Sequence, residues 1–427
     1  MPEVKKTKVI VIGAGSRGTC YPKYMLARKD ARFEIVAVAE PIEDRRNNMK
    51  ALGNIPDEMC FESWEPLFSM PKIADVALIA TMDRDHIAPA LAAIEKGYNL
   101  LLEKPAGATA EECRRIQHAA EEKGVFVLVC HVLRYTDFWC ALKCVIDSGE
   151  LGEVMNIQHV ECVGNLHQSH SFVRGNWRNS EESSPMILQK TCHDMDILAW
   201  LLGKKCTRVQ SFGSLSYFVR ENAPEGSPEY CIEGCPVGEE CPYNAVKVYY
   251  DDKKNDWFRT TCTRLSNPTD ADVERAIRTT DYGKCVFKCP NNVVDRQVVN
   301  LEFEGGALVS FTMSAFNKGG RTIRIMGTKG ELSATMGEPI IKIYSFETKS
   351  YRELDLNAQT ADNITGGHGG GDAGIVSALC DIIDGVPNSS VCDIRESCDN
   401  HMISFAAEES RLTGKVVDMK EFMSRYC

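Results

Sequence analysis

The strongest constraint on the fold is the join between KVIVI (8–12) and GAGSRG (13–18). A short β-branched run that stops at glycines reads as a buried parallel strand. Gly13 permits the tight turn that follows. Gly15 removes a side chain where the backbone must approach a pyrophosphate, and Gly18 lets the next helix pack on the strand. Ser16 and Arg17 open that helix, so its free N–H groups face a bound anion. A second strand, FEIVAVAE (33–40), ends in Glu40, placed to accept hydrogen bonds from ribose hydroxyls. A carboxylate there repels a 2′-phosphate. The expected cofactor is therefore NAD, with Arg45 and Arg46 one turn later keeping NADP as the lesser alternative.

The same texture repeats in ADVALIAT (74–81), YNLLLEKP (98–105) and GVFVLVCH (124–131), each separated by a helical segment. Alternating strands and helices specify a doubly wound parallel sheet. The pattern stops near His131, so residues 1–131 read as a Rossmann domain. Residues 132–427 read as a substrate-binding and oligomerisation domain of α+β class. After a connecting helix (138–147), long β-branched segments such as RQVVNLEFEGGALVSFTMSAF and RTIRIMGTKGELSATM suggest a large, open, mostly antiparallel sheet. A Pro-, Gly- and Cys-rich insertion (219–290) interrupts it, and two helices are expected within 372–412. At 427 residues the chain exceeds one comfortable core, which agrees with two domains. The open sheet is the expected surface for a homodimer or tetramer.

Net charge is −11 and there is no Lys/Arg-rich run. This argues against a nucleic-acid or anionic-membrane partner. No apolar stretch is long enough to span a bilayer. The N-terminus runs straight into a strand without a cleavable apolar segment, so the expected location is cytoplasmic.

Ligands of open parallel sheets bind at the carboxyl ends of the strands. Polar clusters fall there: TMDRDH with Thr81 and His86, EKP with Glu103 and Lys104, and HVLRY with His131 and Tyr135. Thr81, His86, Glu103, Lys104 and His131 are expected around the cofactor. Lys104, between Glu103 and Pro105, is the sharpest candidate to hydrogen-bond a substrate hydroxyl beside the nicotinamide.

With GAGSRG, ATMDRDH, EKP, a later His-bearing helix and the ending SFAAEESRLTGKVV in this order, the chain resembles the glucose–fructose oxidoreductase/inositol dehydrogenase (Gfo/Idh/MocA) family over nearly its whole length. The resemblance implies a Rossmann domain joined to an open-sheet domain. It implies oxidation of a ring hydroxyl of a sugar or cyclitol, with hydride passing to NAD(P). It also implies that Lys104 orients the substrate and stabilises the developing alkoxide, and that a cis bond precedes Pro105. Many members of the family carry an Asp four residues before the histidine. Here that position is Gln189, followed by Lys190, which is expected to take over part of the role.

In LQKTCHDMDILAWLL, helical spacing puts Lys190, His193 and Asp194 on one face. His193 is suited to accept the hydroxyl proton as hydride leaves. Lys190 would assist, and Asp194 would touch substrate, with Asp196 capping the helix. In HSFVRGNWRN (170–179), Arg174 is expected to hold a polyhydroxylated ligand, with Trp177 and Arg178 nearer the cofactor. GGHGGGD (366–372) exposes His368 on a Gly-rich loop that reads as a substrate lid.

Cys231, Cys235 and Cys241 lie within eleven residues, and Cys285 and Cys289 follow in YGKCVFKCP. Close thiols with a distal fourth suggest a structural zinc, with Cys285 preferred as the fourth ligand. An iron–sulfur cluster or reduced thiols are the alternatives. For function, the primary reading is an NAD-dependent dehydrogenase acting on a sugar, glycoside or cyclitol. The alternative is an NAD-dependent glycosidase that oxidises transiently, eliminates, adds water and re-reduces, with Tyr135, His193 or His368 as the extra base. A sugar-responsive NAD-binding regulator is the non-enzymatic reading, and the presence of both Lys104 and His193 argues against it.

Overall fold

The computed structural model describes residues 6–358 and 367–426. Its first layer is a six-stranded parallel sheet: β1 (Thr7–Ile12), β2 (Phe33–Ala39), β3 (Cys60–Phe61), β4 (Val76–Ile79), β5 (Asn99–Leu102) and β6 (Val127–Val129), in the order β3-β2-β1-β4-β5-β6. Strands such as VALI and NLLL have nearly every side chain buried because helices cover both faces. Those helices are α1 (Ser16–Leu26), α2 (Glu43–Gly53), α3 (Trp64–Ser69), α4 (Ile87–Glu95) and α5 (Ala110–Lys123). Thr109 and Glu112 close a capping box at the start of α5. Strand order reverses between β1 and β4, which opens the crevice where this architecture holds its ligands.

Beyond α6 (Asp137–Asp147) the chain enters a nine-stranded sheet ordered β14-β13-β12-β11-β7-β10-β9-β8-β15. Its strands are β7 (Val154–Cys162), β8 (Cys206–Ser214), β9 (Arg296–Phe303), β10 (Leu308–Ser314), β11 (Gly320–Gly327), β12 (Gly330–Thr335), β13 (Ile340–Ser345), β14 (Ser350–Asp355) and β15 (Val417–Asp418). All neighbours are antiparallel except β7 with β10. Strands such as RQVVNLEF alternate buried and exposed residues, so one face packs and the other meets solvent. Between β7 and β8 come α7 (Asn165–His167), α8 (Met186–Gln189) and α9 (Cys192–Leu202). The insertion adds α10 (Asp256–Thr263) and α11 (Asp270–Thr279), and α12 (Gly371–Asp384), α13 (Ile394–Thr413) and α14 (Met419–Ser424) close the chain.

The two sheets share one apolar core that runs from Ile10 and Ile79 through Trp139 and Met402 to Ile157 and Phe311. Helix α13 packs on α5, α9 and β8, and α12 packs on α1, so the C-terminal helices return to the parallel sheet. A buried ionic joint fixes this return. Arg134, 1% exposed, donates to both oxygens of Asp196 at 2.8 and 2.7 Å and to Glu396 at 2.7 Å. Asn400 of α13 adds a bond to Asp196 at 2.9 Å. Removing one member of such a pair leaves the other charge buried and uncompensated. Asp196→Ala should therefore lower the free energy of unfolding by about 3–5 kcal/mol. Breaking the exposed Arg395–Glu121 pair with Arg395→Ala should cost less than about 1 kcal/mol. Urea titration of both variants checks the contrast, and equal losses would contradict it.

Candidate active site

The glycine turn is shaped as its sequence requires. Gly13 has a φ of +85°, and a Cβ there would lie 2.6 Å from the Ala80 carbonyl oxygen. A Cβ on Gly18 would meet the Gly13 oxygen at 1.8 Å, whereas on Gly15 it would meet only an Arg45 guanidinium nitrogen, at 3.6 Å. No side chain caps the start of α1, so its first N–H groups remain for an anion. The Thr81 hydroxyl, at the end of β4, is buried without a hydrogen-bond partner. At the end of β2, Glu40 accepts from Ala14 N at 2.7 Å and Ile42 N at 2.9 Å, which fixes its carboxylate beside the turn. Arg45 lies over Gly15, and burial pushes its pKa down. Arg46 is turned away, donating to the Glu40 carbonyl at 2.6 Å. The open glycine cradle, the uncapped helix start, the orphaned hydroxyl and the fixed carboxylate fit a dinucleotide.

Six residues expected at the cofactor are committed elsewhere. Arg17 bonds Glu103 at 2.8 Å and Asp372 at 2.7 Å, and the Tyr21 hydroxyl donates to Glu103 at 2.5 Å. Burial alone would raise the Glu103 pKa, but Arg17 and Lys104 hold it below its ordinary value. Arg17 and Glu103 thus tie the glycine turn and β5 to α12. His86 is buried between the carbonyls of Pro105 and Thr81, at 2.8 and 3.1 Å, and locks these two strand-end turns together. His131 faces Ser397 of α13 at 2.8 Å, and burial pushes its pKa down to about 3. Trp177 donates to Asp83 at 3.0 Å, joining its loop to the turn after β4. Arg178 pairs with Glu182 and Asp281.

The centre of the crevice is built around Lys104. Its Nζ donates to the Gln189 carbonyl at 2.7 Å, and the Lys104–Pro105 peptide is cis. The expected single helical face does not form. Helix α8 ends at Gln189, Thr191 leaves helical geometry with φ −105° and ψ 12°, and α9 starts afresh at Cys192. The break brings Lys190 against Glu161 at 3.2 Å. Burial lowers the Lys190 pKa while Glu161 opposes that shift. Gln189 turns its amide away, donating to the Trp177 carbonyl at 2.9 Å. Asp194 does not face substrate. It is wholly buried, bonded to His159 at 2.7 Å and to Arg321 at 2.8 and 3.2 Å. Burial opposes its ionisation, yet Arg321 and His159 hold it well below the usual carboxylate range. His193 is 7% exposed, its ring edge-on to His131 with centroids 6.3 Å apart.

Sequence reasoning missed His159, Glu161, His167 and Arg321. His159 and Glu161 share the inward face of β7, and Arg321 on β11 stands opposite Glu161 in the ladder. Charged residues at inward parity are the signal that was available. His167, beside the ring of Trp257 at 5.1 Å, has its pKa driven down by burial and by Lys190 and Lys104.

Two further expectations are corrected. Tyr135 packs under α12 at Gly374, its hydroxyl buried without a partner, and burial raises its pKa well above 10, which makes it a poor base. The Arg174 side chain reaches into the insertion, donating to the carbonyls of Lys284 and Tyr243 at 2.8 and 2.6 Å. The side chain of His368 lies outside the described residues. No helix among the described residues is long and apolar enough to cross a membrane.

Residues 7–131 match the family model described as an oxidoreductase family with an NAD-binding Rossmann fold, and residues 143–373 match its C-terminal alpha/beta domain. The chain belongs to the Gfo/Idh/MocA oxidoreductase family. This Gfo/Idh/MocA chain is similar to YteT of Bacillus subtilis (strain 168), a protein named as an oxidoreductase, with 24% identity over 383 residues, 85% of this chain and 86% of that one. It is 26% identical over 219 residues to inositol 2-dehydrogenase of Salmonella typhimurium, spanning 51% of this chain and 59% of that enzyme, under two thirds of its length. Levoglucosan dehydrogenase, solved with NADH and L-sorbose, aligns over 97% of this chain and 99% of its own, with TM-score 0.70 and 18% identity. An oxidoreductase domain protein from Kribbella flavida aligns over 98% and 100% with TM-score 0.72 and 14% identity. These two structures share the fold.

The glycine geometry separates two variants of this Gfo/Idh/MocA chain. Gly18→Ala forces a Cβ into backbone and should destabilise the fold by about 3 kcal/mol or more. Gly15→Ala should leave the melting temperature near wild type and weaken NAD by at least about tenfold, or about 1.4 kcal/mol. Thermal melts and NAD titration by calorimetry read the two effects separately.

Proposed function

We propose that this oxidoreductase oxidises a secondary ring hydroxyl of a sugar, glycoside or cyclitol, and reduces the corresponding ketone in reverse. The observation that carries the reading is the meeting of Lys104, at the end of a parallel strand beside the glycine turn, with the α8–α9 break that bears Lys190 and His193. NAD, when bound, accepts the carbinol hydride at C4 of its nicotinamide. Gly13, Gly15, Gly18, Ser16 and Thr81 would line its phosphates and nicotinamide side, and Glu40 its adenosine ribose, with Arg45 over the turn.

As hydride leaves, negative charge grows on the substrate oxygen. The Lys104 and Lys190 ammonium groups, the second held by Glu161, would stabilise that charge. Lys104 keeps two of its three N–H donors for the substrate hydroxyl after bonding Gln189. His193 takes the hydroxyl proton as general base. Glu161 holds Lys190 in place, and the Asp194–Arg321–His159 group holds the start of α9. The inositol and levoglucosan dehydrogenases among its relatives support a polyhydroxylated ring substrate.

The test is mass spectrometry of products after incubation with NAD⁺ and inositols, free sugars or glycosides. The reading expects loss of two hydrogens matched by NADH. Release of an aglycone with water added and no net NADH would replace it with the redox-assisted glycosidase. Lys104→Met should lower kcat/KM by about 10²–10⁴-fold while leaving NAD affinity near wild type. Lys190 must be charged to stabilise the alkoxide, and Glu161 raises its pKa against burial. Glu161→Gln should therefore move the alkaline limb of the pH–rate profile to lower pH. An unmoved limb would remove Lys190 from the reaction.

A further inference from the structure

We propose that Cys231, Cys235, Cys241 and Cys285 form a four-thiolate structural zinc site within the insertion, with Arg174 as its charge partner. A bridge and a turn bring the four cysteines to one cavity. A bridge between Tyr230 and Lys284, with Cys285 N donating to the Glu229 carbonyl at 2.9 Å, places Cys231 and Cys285 diagonally across two paired segments. The turn after Cys235 closes with Gly238 N on the Cys235 carbonyl at 3.0 Å and Cys241 N on the Val237 carbonyl at 3.0 Å. All four cysteines line one small cavity together with Arg174 and Tyr243. Cys289 is not in that lining; its Sγ is 3.4 Å from the Cys285 carbonyl.

The second observation is Arg174 itself. It is 1% exposed and lines the same cavity. Two of its nitrogens donate to backbone carbonyls, and Nη2 also stands 3.7 Å from Cys231 Sγ. Its Nη1 is buried without a hydrogen-bond partner. Among the described residues, no carboxylate pairs with it. A buried guanidinium without an anion is costly. Four neutral thiols that bind Zn²⁺ release four protons and leave a tetrathiolate of net charge −2. That dianion is the counter-charge Arg174 lacks. Among the described residues a tighter trio exists, His131, Asp196 and Cys392, but its carboxylate is already taken by Arg134 and Asn400. The four cysteine sulfurs are less closely grouped than that trio, so zinc would draw them in to zinc–sulfur bonds of about 2.3 Å.

The insertion gains a clear benefit. Its apolar clusters around Tyr249 and Phe218 are small, and a structural metal supplies folding energy where a core is thin. The stapled insertion also reaches the parallel-sheet domain, where Ser266 N donates to Asp44 of α2 at 2.7 Å.

The experiment is elemental analysis of the full chain purified under reductant, followed by Co²⁺ titration of metal-stripped protein. One zinc per chain is expected, with a cobalt–thiolate charge-transfer spectrum on titration. Cys285→Ser should lose the bound metal and Cys289→Ser should keep it. Should the Cys285 variant fail to fold, wild-type protein still gives the answer through the cobalt spectrum and the release of four protons on Zn²⁺ binding. Absence of zinc together with no cobalt–thiolate spectrum would overturn the proposal. So would iron with acid-labile sulfide, or equal loss of metal in the Cys289 variant.

Discussion

The N-terminal half of α9 carries two buried carboxylates, Asp194 in its first turn and Asp196 in the next, that are anchored in different places. Asp194 is held by His159 and Arg321 on the open sheet. Asp196 is held by Arg134, just after the parallel sheet, and by Asn400 of α13. Each charge is buried and is stable only with its partners in place. Acidic groups also suit a helix N-terminus. This pair of anchors fixes one short helix against both sheets. The proposed reaction centre depends on it, because Lys190 precedes α9, His193 lies in its first turn, and Lys104 bonds the carbonyl of Gln189 just before it.

The same arrangement sets the electrostatics. Around the crevice Lys190 is paired with Glu161 and Lys104 stands beside Glu103, while burial pushes the pKa of His167 and His131 down. Imidazoles so shifted are weak bases, which leaves His193 as the base of the proposed reaction, with Lys104 and Lys190 stabilising the oxygen left behind. The insertion contributes too, with Trp257 against His167 and Ser266 on α2.

How much of this could be read from the sequence depended on whether the signal was local. The glycine turn, the run of buried strands and EKP are contiguous, and each carries its geometry in a few residues. The parallel and antiparallel sheets follow from the change in hydrophobic period near His131. The partners of α9 were not legible, because Glu161 and Arg321 meet only through the pairing of β7 with β11 across 160 positions. Asp194 was misread for the same reason: a carboxylate beside a histidine looks like a substrate ligand until its own partners are known. Lys190 was placed on a continuous helix because spacing cannot reveal that Thr191 interrupts it. Arg174 sits in a motif rich in polar groups, and only the fold shows that it turns into the thiol-lined cavity of the insertion.

In the proposed reaction a carbon-bound hydrogen of a ring CH–OH group moves directly to the nicotinamide in this crevice. This transfer is tested most directly by single turnover with a polyol substrate deuterated at the carbinol carbon. The account expects deuterium at C4 of the NADH formed, slowed transfer relative to the protiated substrate, and loss of that transfer in Lys104→Met. Deuterium released to solvent, or transfer undiminished in the Lys104 variant, would contradict it.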